Sequence, residues 1–162
     1  MRGRRTPAVT AAGALFPGRP RARATLLTPN LSEAAKLLNA PLAASEAEMI
    51  AQAKALKGLG CEAVLLKGGH AGSGVASDVL YDGEVKLLSL ARVASDNDHG
   101  TGCVLAAAIT ALLAHGVPLA DAVVRAKNFV WKALNAGRTL GLGHGRGPVD
   151  VLHALRGRPL PA

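Results

Sequence analysis

The sequence predicts an α/β fold, and three observations carry that expectation. A short strand-like segment precedes two helical segments and an uninterrupted apolar run, which together read as a β-α-β unit. Two further strand-like runs meet at Asp82-Gly83, the strongest short-range signal for a hairpin. Two long helical segments follow, each with a glycine just past its end.

Residues 1–23 carry arginine, proline and glycine with no hydrophobic period, and they are expected to form a disordered or aberrant basic leader. A targeting peptide is the alternative, although the segment has no serine and no apolar stretch after Arg4-Arg5. Residues 24–162 are expected to form the folded domain, with no internal boundary and no repeat. Ala24–Thr28 reads as a strand ended by Pro29, which has no backbone donor. Asn30 can cap a helix whose Leu31, Ala34, Ala35, Leu37 and Leu38 fall at helical spacing. Ser45 can cap a second helix, with Ala47, Ile50, Ala53, Ala55 and Leu56 as its apolar face and Gly58 and Gly60 closing it. Ala63-Val64-Leu65-Leu66 has no polar interruption, the mark of a strand buried on both faces. Strands over 78–81 and 84–90 make the hairpin. Helices are expected from Thr101 to His115 and from Leu119 to Asn135, and 140–148 is a glycine-rich loop.

Composition limits what such a domain can do. The chain has 162 residues, enough for one domain with a real core. It is 49% hydrophobic but only 2% aromatic, so Ala, Val and Leu must build the core. The net charge of +8 invites a nucleic-acid reading, but its location argues otherwise. Six arginines and no acid lie before residue 24, while the remainder holds 13 basic and 11 acidic residues. With few aromatics to stack on bases, nucleic-acid binding is not expected. No apolar run reaches the roughly 18 residues of a membrane span. Cys61 and Cys103 are too few for a disulfide framework, and their spacing does not suggest zinc, so a cytoplasmic location is expected.

Three constellations could carry chemistry. His99-Gly100-Thr101-Gly102-Cys103 stands where a helix begins. Its glycines allow close backbone approach, and the first N–H groups of the helix have no internal partner. Those donors and the positive helix end suit an anion such as a transferring phosphoryl group. Cys103 falls in the first turn, where the same field favours a thiolate able to accept a proton from an attacking hydroxyl. The plainer alternative is a glycine-rich helix entry with a small buried cysteine. In Thr28-Pro29-Asn30-Leu31-Ser32-Glu33-Ala34, Asn30 and Glu33 sit at a strand-to-helix junction, and a carboxylate there could hold Mg²⁺ through water. The same pair also matches a capping box. Lys67-Gly68-Gly69-His70 follows the buried strand and places an ammonium at the same sheet edge, although no Walker A motif is present. His115 suits a helix C-terminus, His144 and His153 have no partner at ligand spacing, and Cys61 and Trp131 read as packing residues.

Taken in order, T-P-N-L-S-E-A (28–34), V-L-L-K-G-G-H (64–70) and N-D-H-G-T-G-C (97–103) resemble the hydroxymethylpyrimidine/phosphomethylpyrimidine kinases. The alanine-rich helix after Cys103, A-K-N-F-V (126–130) and G-R-G-P-V (145–149) are also similar to that family. The resemblance spans residues 24–155. It implies a ribokinase-like three-layer α/β/α fold and two successive MgATP-dependent phosphorylations of 4-amino-5-hydroxymethyl-2-methylpyrimidine in thiamine biosynthesis. By the same resemblance, Cys103 takes the catalytic position. Gly100, Thr101 and Gly102 form the anion hole, Lys67 approaches the transferring phosphate, and Asn30 with Glu33 belongs to the Mg²⁺/phosphate motif.

One local departure is Asp98, where the family carries a small or hydroxylated residue, and its carboxylate is expected to face solvent. The larger departure is length. Family members carry a further amino-terminal half with the first strands of the sheet and the pyrimidine-binding loop. The expectations are therefore a truncated, frame-shifted or split chain, with Ala24–Thr28 lacking its sheet neighbour. A homodimer or a complementing amino-terminal half would be the partner. A catalytically inactive nucleotide-binding fragment and a pyridoxal-type kinase are the alternative readings.

Overall fold

The computed structural model describes residues 9–10, 24–68, 74–142 and 144–156. Gly69 and His70 lie outside the described residues, as does the expected leader apart from Val9 and Thr10.

The elements run in the order β1 (Val9–Thr10), β2 (Leu26–Leu27), α1 (Leu31–Leu38), α2 (Glu46–Lys57), β3 (Ala63–Lys67), β4 (Val75–Tyr81), β5 (Val85–Ala91), α3 (Thr101–Ala114) and α4 (Leu119–Gly137). They build a five-stranded sheet ordered β1-β2-β3-β4-β5. The first three strands are parallel, and β4 and β5 add antiparallel. One expectation changes here: Val9 and Thr10 pair with Leu26 and Leu27, so β2 has a strand on either side.

β2 is shorter than the apolar run around it because Pro29 has no N–H to give. Its carbonyl instead accepts from Lys67 N at 2.9 Å, and Asn30 pairs with Lys67 as a parallel bridge. That pairing draws the start of α1 against the end of β3.

β3 is the centre of the fold. Val64, Leu65 and Leu66 are buried, with side chains alternating between two cores. Val64 and Leu66 join Leu27, Ala34, Ala53 and Leu56 under α1 and α2. Ala63 and Leu65 join Leu26, Leu80, Ile109, Val123 and Ala126 under α3 and α4. Helices on both faces complete the layered α/β/α arrangement. The buried face of α2 is Met49, Ala53 and Leu56, whereas Ala47 and Ala55 are exposed. Small alanines at helical spacing did not distinguish the inner face from the outer one.

The hairpin forms at Asp82-Gly83 as expected, with Gly83 at φ 132°. Asp82 accepts from Glu84 N at 3.1 Å and from Lys86 Nζ at 2.9 Å, and the Lys86 ammonium pulls its carboxyl below the usual range. Asn30 Oδ1 accepts from Glu33 N at 2.8 Å while Asn30 N donates to Glu33 Oε2 at 2.9 Å, a complete capping box on α1.

Candidate active site

Three element ends meet at one edge of the sheet: the amino ends of α1 and α3 and the carboxyl end of β3. They line a cleft of about 990 Å³ that takes in Asn30, Glu33, Lys67 and residues 98–103. All seven residues singled out by the sequence pattern therefore share one cavity.

The opening of α3 follows from its sequence. Gly100 is the N-cap residue at φ 83°, a left-handed conformation that only glycine adopts without strain, and no side chain caps the helix. The helix start thus presents its amides and its dipole to the cleft. A β-carbon on Gly102 would lie 3.2 Å from Lys67 Nζ, so the ammonium rests closely against the position a side chain would take. Cys103 is exposed and lines the same cleft, which removes the alternative of a small buried thiol. The other cysteine, Cys61, is buried, its Sγ contacts Leu56 O at 3.7 Å, and burial pushes its pKa up.

Asn30 and Glu33 do what the capping-box reading expects. The box uses Glu33 Oε2 and leaves Oε1 outside it. Among the described residues no three His, Cys, Asp or Glu side chains gather as a metal cage. A half-buried carboxylate that makes no ion pair among the described residues, in one cleft with a lysine and an open helix start, fits Mg²⁺, which keeps its waters and commonly shares one carboxylate with substrate phosphates.

Asp98 is partly exposed, as expected, and makes a bidentate pair with the exposed Arg146, through Arg146 Nε at 2.9 Å and through Nη2. The pair masks a negative charge that would otherwise stand beside the helix start, and it raises the Arg146 pKa. Arg146 arrives there because the glycine-rich segment runs along the loop before α3. His99 N donates to Gly147 O at 3.0 Å, Gly147 N donates to Asp96 O at 3.1 Å, and His99 bridges Pro148. Asn97 is buried and donates to Gly137 O at 2.6 Å and Leu140 O at 2.8 Å. A β-carbon on Gly147 would collide with Asn97 Oδ1. That segment is a structural latch and not a plain loop.

Sequence reasoning missed three cleft residues. Asp78 and Lys127 form a buried ion pair in its wall at 2.6 Å. Trp131, read as packing, also lines the cleft and donates Nε1 to Ala91 O at 2.8 Å. Asp78 lay within a strand-like run and Lys127 on a helix 49 positions away, and no linear spacing could join them.

The fold and the converging element ends define a ribokinase-like α/β protein. The phosphomethylpyrimidine kinase family model matches residues 16–150, and the chain belongs to that family. It is 47% identical over 131 residues to a hydroxymethylpyrimidine/phosphomethylpyrimidine kinase of Rhizobium meliloti, covering 80% of this chain and 49% of that protein. Pyridoxal kinase from Staphylococcus aureus in complex with AMP-PCP and pyridoxal is structurally similar, with TM-score 0.79 and 35% identity over 84% of this chain and 51% of that one. An ADP complex of Bacillus subtilis pyridoxal kinase has TM-score 0.82 and 31% identity over 91% of this chain and 59% of that one. The chain spans about half the length of the curated relatives it matches. The match begins at residue 16, within the segment expected to have no counterpart in the family.

Proposed function

We propose that this chain supplies the phosphate-handling side of an ATP-dependent kinase for 4-amino-5-hydroxymethyl-2-methylpyrimidine and its monophosphate in thiamine biosynthesis. The observation that carries this reading is the Lys67 ammonium resting 3.2 Å from the empty β-position of Gly102 at the uncapped start of α3. A cation and a helix start without a side-chain cap at one point suit a migrating phosphoryl group, whose transfer depends on positioning and charge stabilisation more than on covalent chemistry.

In this reading Cys103 takes the proton of the substrate hydroxyl as that oxygen bonds to the γ-phosphorus and the bond to ADP breaks. The Gly102 and Cys103 amides and the Lys67 ammonium stabilise charge on the transferring oxygens. Glu33 would hold Mg²⁺ through water, with Asn30 fixing its carboxylate, and the ion would supply further neutralisation of the nucleotide phosphates. Lys127 and Trp131 extend the cleft wall. We place the reaction in the cytoplasm, with small molecules as ligands and a homodimer or a complementing amino-terminal half completing the substrate side.

Thermal unfolding with MgATP, with and without the pyrimidine, tests the proposal. Stabilisation by both ligands is the expected result for a kinase. Stabilisation by nucleotide alone favours an inactive nucleotide-binding fragment, and a response to pyridoxal in place of the pyrimidine favours the pyridoxal-type reading that the structural neighbours motivate. No shift with either ligand overturns all three. Where turnover can be measured, Cys103→Ala is expected to lower it far more than it weakens nucleotide binding; equal losses would remove the thiol from the role of base.

A further inference from the structure

Asp78 and Lys127 form a charged pair in which both partners are nearly buried, with side chains 8% and 12% exposed. The other ion pairs among the described residues each have a partner open to water, as Lys86, Arg146 and Arg156 illustrate. Removing two charges from water is costly, and apolar residues of similar volume often serve stability as well or better. Stability is therefore a weak reason for this pair to stand in the wall of the cleft.

Its geometry gives a stronger reason. Asp78 lies opposite Lys67 across β3 and β4. Its Oδ1 accepts from Gly68 N at 3.0 Å, an amide that also donates to Ser77 O at 3.0 Å. Gly68 has no room for a side chain, since a β-carbon would collide with Ser77 O and stand 2.6 Å from Met49 Cε. Asp78 Oδ2 is held by Lys127 Nζ, which also donates to Ala76 O at 3.0 Å. Gly68, next after Lys67, is thus held by a carboxylate as well as by the backbone of β4, and α4 holds the carboxylate in turn.

We propose that Asp78 and Lys127 are positioning residues that hold the Lys67–Gly68 backbone at the end of β3 so that the Lys67 ammonium meets the start of α3. This rests on the phosphoryl-transfer reading above for its functional consequence, but the link from Lys127 through Asp78 to Gly68 can be tested without it. An apolar pair could fill the same space, yet it could not accept the Gly68 amide.

The decisive variant is Asp78→Leu combined with Lys127→Met in the full chain. Thermal unfolding is expected near that of the wild type, while the Gly68 amide, left with Ser77 O as its acceptor, exchanges its hydrogen faster and AMP-PCP affinity falls roughly 10–100-fold, as misplacement of a binding group by about an ångström can produce. Lys127→Arg is expected to preserve both. Lys127→Met alone, which leaves Asp78 unpaired, is expected to lose both. A folded double variant with wild-type Gly68 protection overturns the positioning claim, and so does Lys127→Met with unchanged protection. If the wild-type chain binds no AMP-PCP, the kinase reading fails, and Gly68 exchange still decides whether the pair holds the end of β3.

Discussion

The ammonium of Lys67 lies close against the β-position of Gly102, a constraint that helix formation alone does not impose. Alanine is the better helix former by up to about 1 kcal/mol, so Gly102→Ala should leave thermal stability unchanged or slightly raised. The added methyl makes Lys67 Nζ give by a few tenths of an ångström, however, and nucleotide affinity should fall modestly; a stable variant with unaltered affinity would contradict this placement. The two thiols give a second residue-level expectation. Cys103 is exposed and Cys61 is buried, so a thiol reagent followed by mass spectrometry should label Cys103 first. Because burial raises the Cys61 pKa, the fold favours its neutral form. That contribution is complete below the ordinary thiol value of about 8.5 and is lost as pH rises toward and through the raised folded value. Cys61→Ala should flatten the alkaline decline in stability, measured by denaturant midpoints from neutral to alkaline pH. Position 103 was legible in the sequence because glycines and a helix start are local features. The buried pair of Asp78 and Lys127 was not, because it exists only after the sheet and α4 have met.

At the scale of elements, the amino end of α1 combines two tasks that mutation can separate. Asn30→Ala removes the side chain that caps the helix and should cost about 1 kcal/mol in a denaturant melt. Glu33→Gln can keep the reciprocal bond to Asn30 N, since glutamine serves in capping boxes, but it removes the charge. Stability should hold while Mg²⁺-dependent nucleotide binding weakens; loss of stability with binding intact would reduce Glu33 to a cap. β3 was the most readable element, because an unbroken apolar run admits few arrangements besides a strand covered on both faces. Leu65→Ala should cost about 2–5 kcal/mol, seen as a lower unfolding midpoint. The second helix was readable in extent but not in orientation, because Ala47 and Ala55 are as apolar as Ala53 and only packing decides which of them meets the core.

Across the whole molecule, the two cores are continuous beneath the helices, but the outer surface carries exposed apolar side chains. Leu42, Leu142, Leu152 and Leu155 are each more than half exposed. α3 has a mostly apolar sequence, yet only Leu105 and Ile109 within it are fully buried. Such surfaces associate in water. The chain alone should therefore show a concentration-dependent size in sedimentation velocity, and a monomer over a wide concentration range would contradict that expectation. The layered architecture and the cleft at one sheet edge followed from element order, whereas the pairing of Val9 and Thr10 with β2 did not, because two residues in an arginine-rich segment carry no readable period.

The latch at Gly147 has a consequence for the order in which the protein is born. The loop that seats the start of α3 depends on backbone bonds to Gly147 and Pro148, nearly fifty residues later in the chain. While a ribosome is still adding those last residues, α3 can already coil, but its entrance has nothing to brace it. A nascent chain arrested before Gly147 emerges should leave the 95–100 region open to protease. The entrance of α3 can close only once that later segment has been made.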